Sequence, residues 1–201
     1  MKQELHKRAL LLSYVTVGYN VLEGVVSILA GSLAGSIALV GFGLDSFVES
    51  LSGAVMVWRF RKHGKMSVSE EEEIERKALK FVASTFLVLG AYVLYESSRK
   101  LYVQEIPNPS LLGIIIAVVS IIVMPVLFYT KYRTGKSINS RSLVADSKET
   151  LICVFLSVSL LLGLGLNYLY GFWQADPLVG LVMVIFLVRE GLATLKEAQA
   201  Q

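Results

Sequence analysis

Apolar residues along this chain come in long unbroken runs. Six such stretches emerge, at about residues 9–30, 37–58, 78–97, 111–130, 141–166 and 177–195. Each has close to the roughly 20 residues that cross the hydrocarbon core of a bilayer. Gly31–Ser36 reads as a tight small-residue turn, Ile106–Ser110 as a Pro-punctuated loop and Tyr168–Asp176 as an aromatic-rich connection. The polar stretch Arg59–Lys80, with its acidic run Glu70–Glu73, reads as a solvated loop leading into the third helix. The pattern predicts an all-α membrane protein in which residues 1–201 form one bundle of six transmembrane helices.

Composition agrees and narrows the function classes. The chain is 54% hydrophobic and 17% charged, against about 25% charged in soluble domains. Cys153 is the single cysteine, which excludes an internal disulfide framework and the Cys-rich zinc folds. A net charge of +3 would suggest nucleic acid in a soluble protein, but here the placement of the charges decides, and no nucleic-acid partner is expected. With six spans, seventeen Lys and Arg fall on one side of the bilayer and only Arg99 and Lys100 on the other. Basic residues favour the cytoplasm, so both termini are expected inside. Lys131 and Lys148 are counted with that basic side, Lys148 as a snorkelling residue. Trp58, Tyr129 and Tyr132 fall at one interface and Tyr102, Tyr168, Tyr170 and Trp173 at the other. Pro125 should kink the fourth helix for packing. The N-terminus does not read as a cleaved signal, since the apolar run after Arg8 is too long.

Hydropathy alone would start the fifth helix near Leu151 and leave Glu149 at the membrane surface. Ser140–Thr150, however, holds no Gly or Pro, and its polar groups are small or ionisable. The helix is therefore expected to begin near Ser140 with its first half facing a wet interior.

Ionisable groups within spans cost roughly 2.5–3.5 kcal/mol each at the helix centre and usually mark an ion or proton path. Asp45 and Glu49 lie mid-span in the second helix, four residues apart and hence on one face. Two adjacent acids repel unless a cation sits between them. In the fifth helix Asp146, Glu149 and Cys153 share one face. A free cysteine is most often a small buried hydrophobe, and only its register with Glu149 raises Cys153 to a candidate ligand. Asn20 and Glu23 in the first helix are candidates for an access or proton path, with a hydrogen bond inside the bundle as the alternative. Glu96 reads as structural, and Asp176 as an N-cap before Pro177. Ser36–Asp45 and Ser140–Glu149 share Ser, Leu, Val and the acid at equal offsets, as a 3+3 inverted repeat would require.

Three strings carry a family resemblance. Gly35-Ser-Ile-Ala-Leu-Val-Gly-Phe-Gly-Leu-Asp45-Ser-Phe-Val-Glu49 is similar to the second helix of the cation diffusion facilitators. Leu143-Val-Ala-Asp146-Ser-Lys-Glu149-Thr-Leu-Ile-Cys153 is similar to their fifth helix, and Phe172–Gly180 with Arg189-Glu-Gly191 resembles their sixth. The resemblance implies a cation-efflux domain, a homodimer, and export of a divalent metal from the cytoplasm in exchange for protons. Asp45, Glu49, Glu149 and Cys153 would hold the metal, with Asp146, Glu23 and Asn20 in a supporting shell or proton path. The metal is substrate, and no organic cofactor is expected.

Three departures from the family pattern stand out. Glu149 and Cys153 replace the usual His and Asp, the chain stops at Gln201 so that a soluble C-terminal domain is expected to be missing, and the loop after the second helix has only His63. Three carboxylates and a thiolate suit borderline ions. Zinc ranks first, then cobalt or cadmium, with iron and manganese after them. A non-transporting membrane partner and an ion channel are the alternatives. An enzyme is disfavoured, since no nucleophile–base pair is present and His6 and His63 fall outside the spans. A bacterial-type plasma membrane is the expected location.

Overall fold

The computed structural model describes residues 2–62 and 68–200 and consists of six long helices: α1 (Lys2–Ala34), α2 (Ile37–Lys62), α3 (Val68–Val103), α4 (Leu111–Ser137), α5 (Arg141–Tyr170) and α6 (Ala175–Ala200). There is no strand among the described residues. All six helices are long and apolar enough to cross a membrane, which fits a six-span membrane bundle. Large apolar side chains such as Leu33, Val88 and Leu169 point outward, as a lipid-facing surface requires.

One connection differs from expectation. The stretch from Arg59 to Lys80 is largely helical, because α2 continues to Lys62 and α3 already begins at Val68. The sequence there is rich in Glu, Lys and Arg, all good helix formers. Glu73 and Lys77 pair at 2.7 Å across one turn, and the ammonium holds the Glu73 carboxyl below the usual range. His63 and Lys65 lie outside the described residues. In contrast, α5 begins at the expected place. Ser140 is its N-cap, with its hydroxyl accepting from Leu143 N.

The α1–α2 and α4–α5 connections are built alike. Ser36 N donates to Gly31 O and Ser140 N to Gly135 O, both at 2.9 Å. Each serine hydroxyl then accepts from the backbone three residues on, Leu39 N at 3.1 Å and Leu143 N at 3.3 Å. The residue before each serine, Gly35 or Asn139, has a left-handed backbone, with φ of 66° and 54°, a conformation that Gly and Asn adopt most readily. Gly31 and Gly135 let the helices touch. A Cβ on them would stand 2.8 Å from Val40 N and 3.1 Å from Val144 N. These offsets place Glu149 where Asp45 stands, and Cys153 where Glu49 stands, in the other half.

Within the bundle α1 packs chiefly on α2, α4 on α5, and α3 on α6, while α2 also touches α3, α5 and α6. Side chains meet across α2 and α5 in antiparallel order, Asp45 with Cys153, Glu49 with Thr150 and Ser52 with Asp146. One apolar core (Leu39, Phe42, Met124, Leu156, Leu160 and Leu164) lies between α2, α4 and α5 toward the Ser36 end. A second (Val82, Phe86, Leu89, Val93, Leu187) joins α3 to α6 and to Val48 of α2.

The cap expected at Asp176 is real but serves another helix. Asp176 lies inside the first turn of α6, where its carboxylate accepts from the Ser36 hydroxyl and, at 3.0 Å, from Ile37 N. It thus caps α2. The two basic residues of this end are also engaged. Arg99 bridges Glu96 at 3.0 Å and Glu105 at 2.9 Å, and buried Lys100 donates to the Gly35 carbonyl. Glu96 is structural, as expected.

Candidate metal centre between α2 and α5

The four-residue spacing in α2 turns Asp45 and Glu49 toward α5, where both are buried. From α5 the Cys153 thiol donates to Asp45 Oδ2 at 3.6 Å. The Thr150 hydroxyl donates to Glu49 Oε1 at 2.6 Å. Glu149 joins Asp45 and Glu49 around a cavity of about 10 Å³, the room of a single water-sized centre, walled on its apolar side by Phe86, Ile152, Leu156, Phe186 and Leu187. The outer oxygens of Glu49 and Glu149 are buried without a hydrogen-bond partner. Buried carboxylate oxygens are costly unless something cationic or a donor satisfies them.

The four expected ligands therefore share one neighbourhood while their side chains are spread along it. Among the described residues, no three His, Cys, Asp or Glu side chains close into a shell tight enough for an ion in this conformation. Asp146, expected in a supporting role, faces away from the cavity toward the α4 side. Its Oδ2 lies 2.9 Å from the Lys131 ammonium and its Oδ1 accepts from Ser52 at 3.4 Å. Lys131 is fully buried, so it is no part of the basic interface with which it was counted.

A polar stripe on α1 adjoins the centre. Ser13, Thr16, Asn20, Glu23 and Ser27 are all buried at alternating spacings of three and four, which align them on one helix face. Glu23 accepts from Tyr19 at 2.9 Å and from Ser46 at 3.0 Å, so it reaches the residue that follows Asp45. Both polar atoms of the Asn20 amide and the Ser27 hydroxyl are buried without a partner. On α4 and α5, Ser157 donates to Ser120 at 2.9 Å and continues the polar column.

The two sides of the centre differ in access. Toward the Ser36 end, fully buried Leu39, Phe42, Met124 and Leu160 fill the bundle. Toward the opposite end an open cleft of about 1250 Å³ lies among α4, α5 and α6, lined by Lys136, Lys148, Glu149, Arg189 and Glu190 among others. Glu149 and Glu190 line both the cleft and the small cavity. Sequence reasoning missed Glu190 as part of the centre. An acid near the end of a span, next to an arginine, reads as an interfacial charge, and only tertiary packing turns it inward.

Residues 13–200 match the cation efflux transmembrane domain. The chain is 21% identical over 196 residues to Transmembrane protein 163 of Xenopus laevis, covering 97% of this chain and 69% of that protein. It is 25% identical over 184 residues to Magnetosome protein MamB of Magnetospira sp. strain QH-2, covering 89% of this chain and 61% of that one. An uncharacterized transporter of Synechocystis is 26% identical over 172 residues, 84% of this chain and 56% of its own length. The chain thus spans between about half and two thirds of these relatives' lengths. With nearly its whole length matched, in six spans that surround a buried acidic centre, the chain belongs to the cation efflux family of membrane transporters.

Proposed function

We propose that this chain carries a divalent transition metal, with zinc first and cobalt or cadmium next, out of the cytoplasm in exchange for protons. Asp45, Glu49, Glu149 and Cys153 are its ligands. The observation that carries the reading is the pair of buried, unpartnered carboxylate oxygens of Glu49 and Glu149, set with Asp45 around one small cavity. An ion entering the cavity would satisfy both oxygens. A thiol beside two or three carboxylates favours a borderline ion over magnesium or calcium.

The cleft at the Gly135–Ser140 end leads to Glu149, while the apolar plug closes the other side. With the basic end placed in the cytoplasm, this is a conformation open inward. Ligands that bind metal have lost their protons, so metal arriving from one side and protons from the other would exchange at the same groups. A second copy of the chain completes the proposed homodimer, and a bacterial-type plasma membrane is the proposed location.

Reconstitution into liposomes provides the test. Zinc flux with counter-moving protons is expected, falling to background in Asp45→Ala. Flux that survives in this variant would remove the proposed site. Conduction without proton movement would favour a channel, and binding without flux a non-transporting partner.

A further inference from the structure

Lys131 is the least expected residue of the bundle. It stands near the end of α4, where a lysine ordinarily extends its stem outward and keeps its ammonium in water. Here the side chain is 0% exposed. Its ammonium lies 2.9 Å from Asp146 Oδ2 and 3.7 Å from Glu49 Oε1, and it donates to Thr150 Oγ1 at 2.8 Å. The Thr150 hydroxyl in turn donates a hydrogen bond to the same Glu49 oxygen at 2.6 Å. An ammonium has three donors and no acceptor; here it donates to Thr150 Oγ1 and lies within ion-pair distance of Asp146 and Glu49. Lys131 is thus tied to Glu49 twice, directly and through Thr150. Taking such an ion out of water costs several kcal/mol before any partner is counted.

We propose that Lys131 is a tethered counter-cation that neutralises Glu49 and Asp146 in the empty carrier, competes with the metal for Glu49, and thereby sets the charge an ion needs to be carried. This rests on the reading of Glu49 as a metal ligand. One unit of positive charge is already present, covalently held and at short range. A monovalent ion offers the carboxylates no more charge than the ammonium it would displace, whereas a divalent ion offers twice as much. Lys131 thus discriminates against sodium and potassium. It also keeps the acids of the empty carrier from repelling one another while it changes conformation. When metal binds Glu49, the ammonium retreats to Asp146, which lies on the side of α5 away from the cavity.

The test is equilibrium zinc binding to the purified chain, with and without excess sodium, in the wild type and three variants. Lys131→Met removes the competitor, but it leaves Asp146 buried and unpaired. The Lys131→Met/Asp146→Asn double variant removes both charges and keeps the balance. Both are expected to bind zinc about tenfold or more tightly than the wild type, as close charge pairs couple by that much or more. Both should also become sensitive to sodium, whereas the wild type is expected to be insensitive. Wild-type affinity and sodium insensitivity in a folded double variant would overturn the proposal.

A readout on the wild type itself covers the case in which neither variant folds. Zinc binding to the wild type is expected to be unmoved by a large excess of sodium, and displacement of zinc by sodium overturns the proposal. Asp45→Asn separates the two claims. Zinc binding that persists in Asp45→Asn would defeat the site itself. Binding lost there, yet indifferent to Lys131, would defeat only the counter-cation.

Discussion

Asp176 of α6 accepts hydrogen bonds from Ser36 and from Ile37 N at the start of α2. A carboxylate at a helix N-terminus satisfies free backbone N–H groups and favours the positive end of the helix dipole. Here it does so from a helix more than a hundred positions away, and so fastens α6 to the helix that carries Asp45 and Glu49. Asp176→Ala should destabilise the chain by about 1–3 kcal/mol, in the range for lost caps and for donors left buried without a partner. A lower midpoint of thermal unfolding in detergent would show it. Equal midpoints would mean that the contact contributes nothing.

The same residue marks where sequence reasoning stops. Asp-Pro at the head of an apolar run signals a cap, and the signal is correct about chemistry while silent about which helix is served. The six spans were legible because each needs its own run of apolar residues. The start of α5 at Ser140 was legible because a serine cap and an unbroken helical stretch are local features. The shared face of Asp45 and Glu49 followed from helical period alone. Lys131 and Glu190 were not legible. Near the end of a span a charged side chain can turn to water or inward, and only the neighbouring helices decide which. The helical reach of α3 back to Val68 was hidden for a related reason, since charge runs form solvated helices as readily as loops.

The small residues of the two matching elbows bear a steric load. Gly31→Ala would set a methyl group 2.8 Å from Val40 N, and Gly135→Ala one 2.9 Å from Val144 Cγ2. Both substitutions should destabilise by about 1–3 kcal/mol, as overpacking does, with Gly31 the more sensitive. Gly165→Ala, which meets nothing within 4 Å, should be neutral or stabilising by about 0.5–1 kcal/mol through helix propensity. Three melting curves make the comparison, and similar losses at all three glycines would contradict the close approach.

Cys153 should decide softness. With serine in its place the centre loses its only sulfur, and soft or borderline ions lose most. Cys153→Ser should lower cadmium transport about tenfold or more while manganese changes little. Uptake of the two metals into the same proteoliposomes gives the ratio. A ratio unaltered by the substitution would place the thiol outside the coordination shell and leave it as the partner of Asp45 alone.

Proton release offers a test that needs no vesicle. Carboxylic acids and thiols bind metal only after losing their protons. Zinc added to the weakly buffered protein should therefore acidify the solution, and zinc affinity should fall as pH is lowered. A pH-sensitive dye reads the first and equilibrium dialysis at two pH values the second. Asp45→Asn, in which zinc binding is expected to be lost, should release no protons when zinc is added. An affinity independent of pH would argue against carboxylate or thiolate ligands.

The twin elbows carry a consequence for the energetics of a working cycle. Gly31–Val40 and Gly135–Val144 are the same joint facing opposite ways, since α2 and α5 meet head to tail. A shape that one half can adopt with its joint intact is, by a half-turn within the plane of the sheet of lipid, open to the other half as well. Two opposite-facing arrangements of the chain can then be assembled from the same inventory of local contacts, exchanged between halves. For the exchange cycle proposed above, such a pairing would keep the energy gap between the two arrangements small enough for thermal motion to cross.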